Sequence, residues 1–395
     1  MAEQNEGKRL VLPLSGHIDS ANASGTEAEL MKERENVPHE GLTLDLDKLD
    51  YISSAGLRVI LRLRKLEPEL KLVNVSSEVY EVFSMTGFTE MMPVEKAMRK
   101  LSVEGCEAIG RGANGTVYRI DKDTVVKVYH NSDSLPDVQR ERELARKAFV
   151  LGIPTAIPYD VVKVGDSYGS VFELLNSSSF SRLIREHPEK LEEYVRTYVD
   201  IMLKLHSTEV KPGELPEMKN IALGWEDYLR GELPDEYLDK LLRLIREIPD
   251  RYTLLHGDYH TNNIVVQEDE VLIIDMDTLC TGHPIFELAF MWLAFVGFGE
   301  LEERMSSDFF KLSGAMTGEL WRTALRLYLG SADEAYLASV EEKAMTIGYA
   351  RLMRRTLKRG GMDNDFGRAT IEHCRQRLFE LLDKRRTFQC ASKRK

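Results

Sequence analysis

Cysteine is scarce: the 395 residues hold four, Cys106, Cys280, Cys374 and Cys390. None stands in CxxC or CxxH spacing, which argues against a zinc ribbon or a disulfide framework and fits reduced thiols in a cytoplasmic protein. Long apolar runs are missing too. The most apolar stretch, Leu288 to Phe298, is too short to span a bilayer and reads as a buried helix. The opening MAEQNEGKR lacks the apolar centre of a signal peptide. There is no internal repeat and no low-complexity tract. Positive charge is in deficit, with 53 Lys and Arg against 65 Asp and Glu and a net charge of −12. Such a chain is a poor non-specific ligand for nucleic acid or an anionic membrane, so neither is expected as a partner. What remains is an ordinary globular composition in a chain long enough for two or three domains.

Composition and periodicity divide the chain near residues 97–106. Before that point short strands alternate with helices, the pattern of an α/β layer sandwich. Lys8–Leu14 places Leu10, Leu12 and Leu14 at period two. Ser24–Glu35 reads as a helix, Gly41–Leu46 as a strand, Gly56–Leu66 as an amphipathic helix, Leu70–Val75 as a strand and Glu78–Met85 as a helix. The pair Met91–Met92 reads as packing at the domain edge. After the boundary a Gly-rich hairpin at 107–120 leads to a strand at Thr124–Tyr129 and a helix at about 136–151. A strand pair follows near 159–174, and then mostly helices. KPGELPEMKN, 211–220, reads as a loop. The basic end RRTFQCASKRK reads as frayed.

The second part carries the chemistry. His256-Gly257-Asp258-Tyr259-His260-Thr261-Asn262-Asn263 is followed by Ile273-Ile274-Asp275-Met276-Asp277. Asp258 and Asn263 stand five apart on a tight loop, so both can face one point, and an apolar strand over Val271–Ile274 would deliver Asp275 beside them. Phosphoryl transfer needs such a set: a carboxylate to orient the attacking hydroxyl, and oxygen ligands for magnesium. Upstream, Gly110-Arg111-Gly112-Ala113-Asn114-Gly115 is GxGxxG, whose glycines let backbone N–H groups approach phosphates. The strand that follows it favours a kinase-type hairpin over a dinucleotide-binding turn. Lys127 stands alone on an apolar strand, as a lysine for the α- and β-phosphates would. Its carboxylate partner is Glu141 rather than Glu143. Leu144, Ala145 and Ala148 follow Glu141 at buried-face spacing, whereas Arg146 and Lys147 put Glu143 on a solvent face. His260 and His283 read as hydrogen-bonding loop residues. Trp225, Tyr228, Trp292 and Phe295 read as core.

On these motifs residues 105–295 resemble the aminoglycoside/choline phosphotransferase branch of the protein-kinase-like fold. The resemblance implies a catalytic base at Asp258, magnesium on Asn263 and Asp275, and ATP phosphates held by Gly110, Gly112, Gly115 and Lys127. It also implies an adenine-facing hinge at Glu173–Leu175, so Glu173 and Leu175 join the candidate nucleotide residues. Glu287 stands where many relatives have Asp. Asp275 is followed almost at once by Gly282-His283-Pro284 and an apolar helix, with no APE and little room for a peptide-docking segment, so a small hydroxyl compound is the expected acceptor.

The first part has its own signature. Asp45-Leu46-Asp47-Lys48-Leu49-Asp50-Tyr51-Ile52-Ser53-Ser54-Ala55-Gly56-Leu57, with Gly16-His17-Ile18-Asp19 before it and Asn74-Val75-Ser76 after it, resembles the STAS domain of anti-sigma factor antagonists over about residues 9–97. The resemblance implies a phosphorylatable serine where the helix opens, Ser54 with Ser53 as neighbour. The bland alternative for both is capping of orphan N–H groups.

The sequence therefore predicts a multidomain α/β and α+β protein. A STAS-like α/β sandwich over 1–100 is fused to a bilobal kinase-like phosphotransferase over 101–395, its small lobe at about 101–175 and its helical lobe at about 176–395. ATP and Mg²⁺ serve it, and a protein partner is expected at the STAS-like part. Two rivals are a protein Ser/Thr kinase, with its own Ser54 as one candidate target, and a nucleotide-sensing signalling adaptor without turnover, either linked to anti-sigma-type regulation. The short segment after Asp275 speaks against the first, and intact Lys127, Asp258 and Asp275 against the second.

Overall fold

The computed structural model describes residues 9–384, apart from 113, 176 and 269. The basic end at 385–395, the thiol of Cys390 and the opening residues 1–8 lie outside the described residues. The chain divides into two compact units, residues 1–102 with 162–165, and the remainder.

The first unit is a succession of parallel strands joined by helices. The strands are β1 (Arg9–Ile18), β2 (Gly41–Ile52), β3 (Lys71–Val75) and β4 (Val94–Lys96), paired in the order β1-β2-β3-β4. Parallel neighbours require crossovers, which are α1 (Ala23–Asn36), α2 (Ser54–Leu66) and α3 (Ser77–Met85). Period two decides the faces: Leu12 and Leu14 are buried while Val11 between them is 56% exposed. Leu42, Leu44 and Leu46 of β2 are wholly buried and centre the core. Full burial of such side chains stabilises by about 1.5–3 kcal/mol each. β2 continues well past Leu46, through the acidic stretch to Ile52, because bulges in its pairing with β1 absorb the irregular pattern there. On α2, Val59, Ile60 and Leu63 form the buried stripe. Gly56 lets the helix approach the sheet, since a Cβ there would stand 2.6 Å from Ile52 Cγ1 and 2.8 Å from Ile18 Cγ2.

The second unit opens with a sheet of β5 (Ala108–Arg111), β6 (Gly115–Arg119), β7 (Thr124–Tyr129), β8 (Pro158–Val164, of which 158–161 belong to this unit) and β9 (Ser167–Glu173). Their order is β8-β9-β7-β6-β5, antiparallel where β5, β6, β7 and β9 meet. Helix α4 (Leu135–Val150) joins β7 to β8 and buries Val138, Glu141, Leu144, Ala145 and Ala148, the i, i+3, i+4, i+7 stripe. The helical part follows with α5 (Leu191–Ser207) and α6 (Asp235–Glu247), the hairpin β10 (Ile264–Gln267)/β11 (Glu270–Ile273), and α7 (Ile285–Trp292). It ends with α8 (Gly314–Leu329), α9 (Glu334–Lys358) and α10 (Asp365–Asp383). Its core holds Trp225, Trp292, Phe295 and Tyr349. Tyr228 is not part of that core: it is 37% exposed.

Two local expectations are corrected. The stretch 211–220 is not all loop, since a helical turn begins at Met218 and runs to Leu223, with Met218 and Ala222 buried. Leu288–Phe298 is not one regular helix: α7 ends at Trp292 and a π-helical turn takes over at Leu293–Gly297. The Trp292 indole is wedged between Gly297 and Gly348, where a Cβ would approach it to 2.9 Å at either glycine. Among the described residues no helix is long and apolar enough to cross a membrane.

Candidate active site

The loop between the short strand Leu254–Leu255 and β10 is held by its backbone. Gly257 lies at φ +81, and a Cβ there would stand 2.5 Å from Thr278 O, so both conformation and space require glycine. His256 is wholly buried. Its Nδ1 accepts the Asp258 N–H at 3.2 Å and its Nε2 donates to Ile274 O at 3.1 Å, which fixes the tautomer. Asn263 Nδ2 donates to Asp258 O at 3.0 Å, and the Ile274 N–H donates to Asn263 O at 2.9 Å. Asp258, Asn263 and Asp275 are thereby tied together through two loops. Asp275 sits at φ +65, a left-handed conformation that Asp tolerates better than most residues. The Asp258 carboxyl is half-exposed. Desolvation raises its pKa, but His260, Arg351, His256 and Arg355 outweigh that and hold it below the ordinary carboxylate value.

Lys127 bridges the two parts of the site. Its Nζ donates to Glu141 Oε1 and to Asp275 Oδ1, each at 2.9 Å. Glu143 pairs instead with Arg146 at the surface. Burial disfavours the charge on Lys127, but Glu141, Asp275 and Asp277 more than offset it and raise its pKa. Glu141 is pushed up to about 7 by burial, against the opposing pull of Lys127. Asp277 is pushed up to about 6 by burial and then by Asp275. One ammonium thus faces three carboxylates, and the pocket carries excess negative charge that protons partly relieve. In the hairpin above, the Gly112 N–H donates to Gly115 O at 2.9 Å. Gly115 is packed so closely on β7 that a Cβ would stand 2.5 Å from Val128 O. Gly110 lies on β5 opposite Val117. At the end of β9, Glu173 N–H donates to Ile157 O and Leu174 N–H to Asp123 O; Leu175 follows directly.

A family model described as the phosphotransferase enzyme family (APH) matches residues 105–324, and a STAS domain model matches residues 1–101. The chain belongs to the phosphotransferase enzyme family, with a STAS domain in front. A Bordetella bronchiseptica protein that carries the name of an anti-sigma factor antagonist, BtrV, is 44% identical over 89 residues, 22% of this chain and 76% of that one. Among solved structures, a thermostable mutant of aminoglycoside phosphotransferase APH(4)-Ia is 14% identical, with a TM-score of 0.49 over 71% of this chain and 94% of that one. A choline/ethanolamine kinase family protein from Mesorhizobium loti is 16% identical, with a TM-score of 0.46 over 70% of this chain and 88% of that one.

The resemblance had already set Glu287 apart from the Asp of many relatives, but the roles of the residues that support the Asp258 loop escaped the sequence. Glu287 does not reach the space between Lys127 and Asp258. It is wholly buried and accepts the backbone N–H groups of His256 at 2.6 Å and Gly257 at 3.0 Å. His206 Nε2 stands 3.8 Å from the same carboxylate. Tyr198 on α5 and Tyr259 on the loop exchange bonds, each hydroxyl donating to the other's carbonyl, at 3.0 and 2.7 Å. Arg351 on α9 donates to Gly257 O at 2.9 Å. Glu287, Tyr198 and Arg351 reach the loop's backbone or its flanks from helices distant in sequence, so no local motif marks their contacts. For Glu287 the signals were its place where many relatives have Asp and its polarity within the apolar run IFELAF. In the STAS domain, Ser53 is the helix cap: its Oγ accepts the N–H of Ala55 at 3.2 Å and of Gly56 at 3.4 Å. Ser54 is the first helical residue and is exposed. The capping role considered for both serines therefore falls to Ser53 alone.

Proposed function

We propose that the phosphotransferase domain moves the γ-phosphate of ATP to a hydroxyl of a small molecule, and that the STAS domain is a regulatory or partner-binding module. The observation that carries this reading is the Lys127 ammonium bridging Glu141 and Asp275 at 2.9 Å each, with Asp258 on a loop tied to Asp275 through Asn263 and Ile274. In this reading Lys127, oriented by Glu141, binds the α- and β-phosphates, and the hairpin of Gly110, Gly112 and Gly115 covers the triphosphate with backbone N–H groups. Glu173 and Leu175 border the adenine. Asp258, ionised at neutral pH, orients the acceptor hydroxyl and takes its proton as the oxygen attacks in line.

The residues present suit magnesium. Asn263 and Asp275 offer hard oxygen donors, and Asn263 spends its amide nitrogen on Asp258 O, leaving its carbonyl oxygen as the ligand atom. Among the described residues no group of three His, Cys, Asp or Glu is disposed to hold a metal by protein ligands alone. That accords with an ion that takes one or two protein oxygens and completes its shell with phosphate and water. Bound there, magnesium would neutralise charge developing on the transferred phosphoryl group.

The test is Asp258→Asn. It is expected to abolish ATP turnover with acceptor while leaving Mg-ATP affinity unchanged, because the base acts on the acceptor's proton and not on the nucleotide. Wild-type turnover in that variant would remove Asp258 from the mechanism. The acceptor screen runs over sugars, amino alcohols and aminoglycosides, with ADP formation as the readout.

A further inference from the structure

Helix α9 carries Arg351, Arg354 and Arg355 in its last turns, and Arg359 follows as its C-cap. Spacing of three and four puts the first three on one face. That face meets the catalytic loop, because Arg351 donates to Gly257 O at 2.9 Å while its guanidinium covers the Phe290 ring at 3.4 Å. One turn on, Arg354 lies over the half-exposed ring of Tyr228 at 5.2 Å and Arg355 over Phe298 at 5.5 Å. The buried Nε of Arg354 has no hydrogen-bond partner. Neither Arg354 nor Arg355 forms an ion pair with a carboxylate within 4 Å among the described residues, and two acids of the neighbouring segments, Glu300 and Glu226, are engaged elsewhere. Glu300 accepts from the Tyr349 hydroxyl and faces His373, and Glu226 pairs with Arg230.

The charges sort by side. On the nucleotide side Lys127 faces three carboxylates, and Lys127 and Arg140 are the cations acting on Asp277. On the other side Asp258, with the buried Glu287 behind it, faces the guanidinium groups of Arg351 and Arg355. Desolvated guanidinium groups without a counter-charge are costly to keep, and an anion placed among them relieves that cost.

We propose that the acceptor is itself an anion: a hydroxyl compound bearing a carboxylate or phosphate group, gripped by Arg354 and Arg355 while its hydroxyl meets Asp258. The inference rests on the phosphotransferase reading and narrows it. Guanidinium forks match both oxyanions in bidentate fashion. Tyr228 and Phe298 lie beside the two guanidinium groups and offer a wall to the carbon skeleton. A polycationic acceptor would meet like charge on this face.

The test uses the full chain saturated with Mg²⁺ and a non-hydrolysable ATP analogue, so that the triphosphate site cannot take up added anions. Calorimetric titration with 6-phosphogluconate and gluconate, against neutral glucose and cationic spermidine, reads acceptor-side charge preference and separates phosphate from carboxylate. Saturable binding of at least one anionic probe is expected, with none for glucose or spermidine. Arg354→Gln and Arg355→Gln should each weaken it about tenfold or more, and Arg355→Lys should restore part of it. Nucleotide affinity, measured first on each variant, reports that the fold is intact. Absence of saturable anion binding, equal binding of glucose, or indifference to both substitutions would overturn the proposal while the phosphotransferase reading stands. Loss of magnesium-dependent nucleotide binding in the unsubstituted chain is a separate result and sinks both.

Discussion

Replacing Glu287 by Gln keeps the shape of the side chain and removes its charge. The carboxylate is wholly buried and takes two backbone donors of the loop that carries Asp258, His256 N–H at 2.6 Å and Gly257 N–H at 3.0 Å. An amide has one oxygen, so one of those donors would face an NH₂ group instead. Hydrogen bonds to a charged group contribute about 1.5–3 kcal/mol, and a buried donor left unpaired costs about 1–3 kcal/mol. Gln gives some of this back, because a neutral amide is cheaper to bury than a carboxylate. The net loss is about 1–3 kcal/mol of stability, which for a domain of this size lowers Tm by roughly 2–5 °C. The larger effect falls on turnover. The same backbone carries Asp258, and displacement of a catalytic group by about 1 Å costs on the order of a hundredfold in rate. Glu287→Gln should therefore lower kcat by roughly ten- to a hundredfold and leave ATP affinity unchanged, since Glu287 makes no contact with Lys127. Thermal melts and ADP-formation kinetics on the same preparation check both numbers. A variant with wild-type Tm and wild-type kcat would show that the clamp does not position the loop.

Two further outcomes follow from the same geometry. Asp275→Ala should remove the magnesium-dependent part of ATP affinity, and Lys127→Ala should weaken ATP binding about tenfold or more by calorimetry; unchanged binding in both would refute the nucleotide assignment. Fragments 1–100 and 101–395 should each be soluble and fold cooperatively, as judged by expression and thermal melts; insolubility of both would refute the division into two folding units.

How much was legible depends on how local the cause was. β7, Thr124–Tyr129, and helix α4 could be read to within a residue or so, because period two and the stripe around Glu141 are short-range facts of the chain. The family assignments rested on contiguous motifs, His256–Asp277 and Asp45–Leu57, whose loops fold on themselves. The π-helical turn at Leu293–Gly297 could not be read, since it is made by Trp292 wedging between Gly297 and Gly348, residues far apart in sequence. The same holds for the loop's supports. Arg351 lies 94 positions from Gly257 and Tyr198 61 from Tyr259, and neither contact leaves a trace in a spacing pattern. Ser53 and Ser54 show the finest limit: adjacent identical residues exchange roles with a one-residue shift of the helix start.

That shift bears on whether the attached phosphotransferase domain acts on Ser54. Ser54 is exposed, so its own hydroxyl is not held back by a capping bond; Ser53 carries that bond. A fused serine also enjoys a high effective concentration at the active site. The opposing consideration lies within the phosphotransferase domain. A protein substrate needs a surface on which an extended segment can lie so that its hydroxyl reaches an in-line position. The residues after Asp275 offer none. Met276 begins a helical turn and is buried, Cys280 and Thr281 are buried and paired with Leu255 and Leu254, and the Thr281 N–H is bonded to Pro216 O at 2.8 Å. The stretch that would have to open for a peptide is part of the core, and opening it would break that pairing and expose Leu254, Leu255 and Leu279, all wholly buried. Burial of the three leucines together stabilises by about 4.5–9 kcal/mol, more than the roughly 3–5.5 kcal/mol of a hundred- to ten-thousandfold proximity gain. Full-length protein incubated with ATP and Mg²⁺ should therefore show no stoichiometric phosphate on Ser53 or Ser54 by intact-mass and peptide mass spectrometry. Near-complete phosphorylation there, absent in Asp258→Asn, would replace the small-molecule acceptor with a self-modifying kinase.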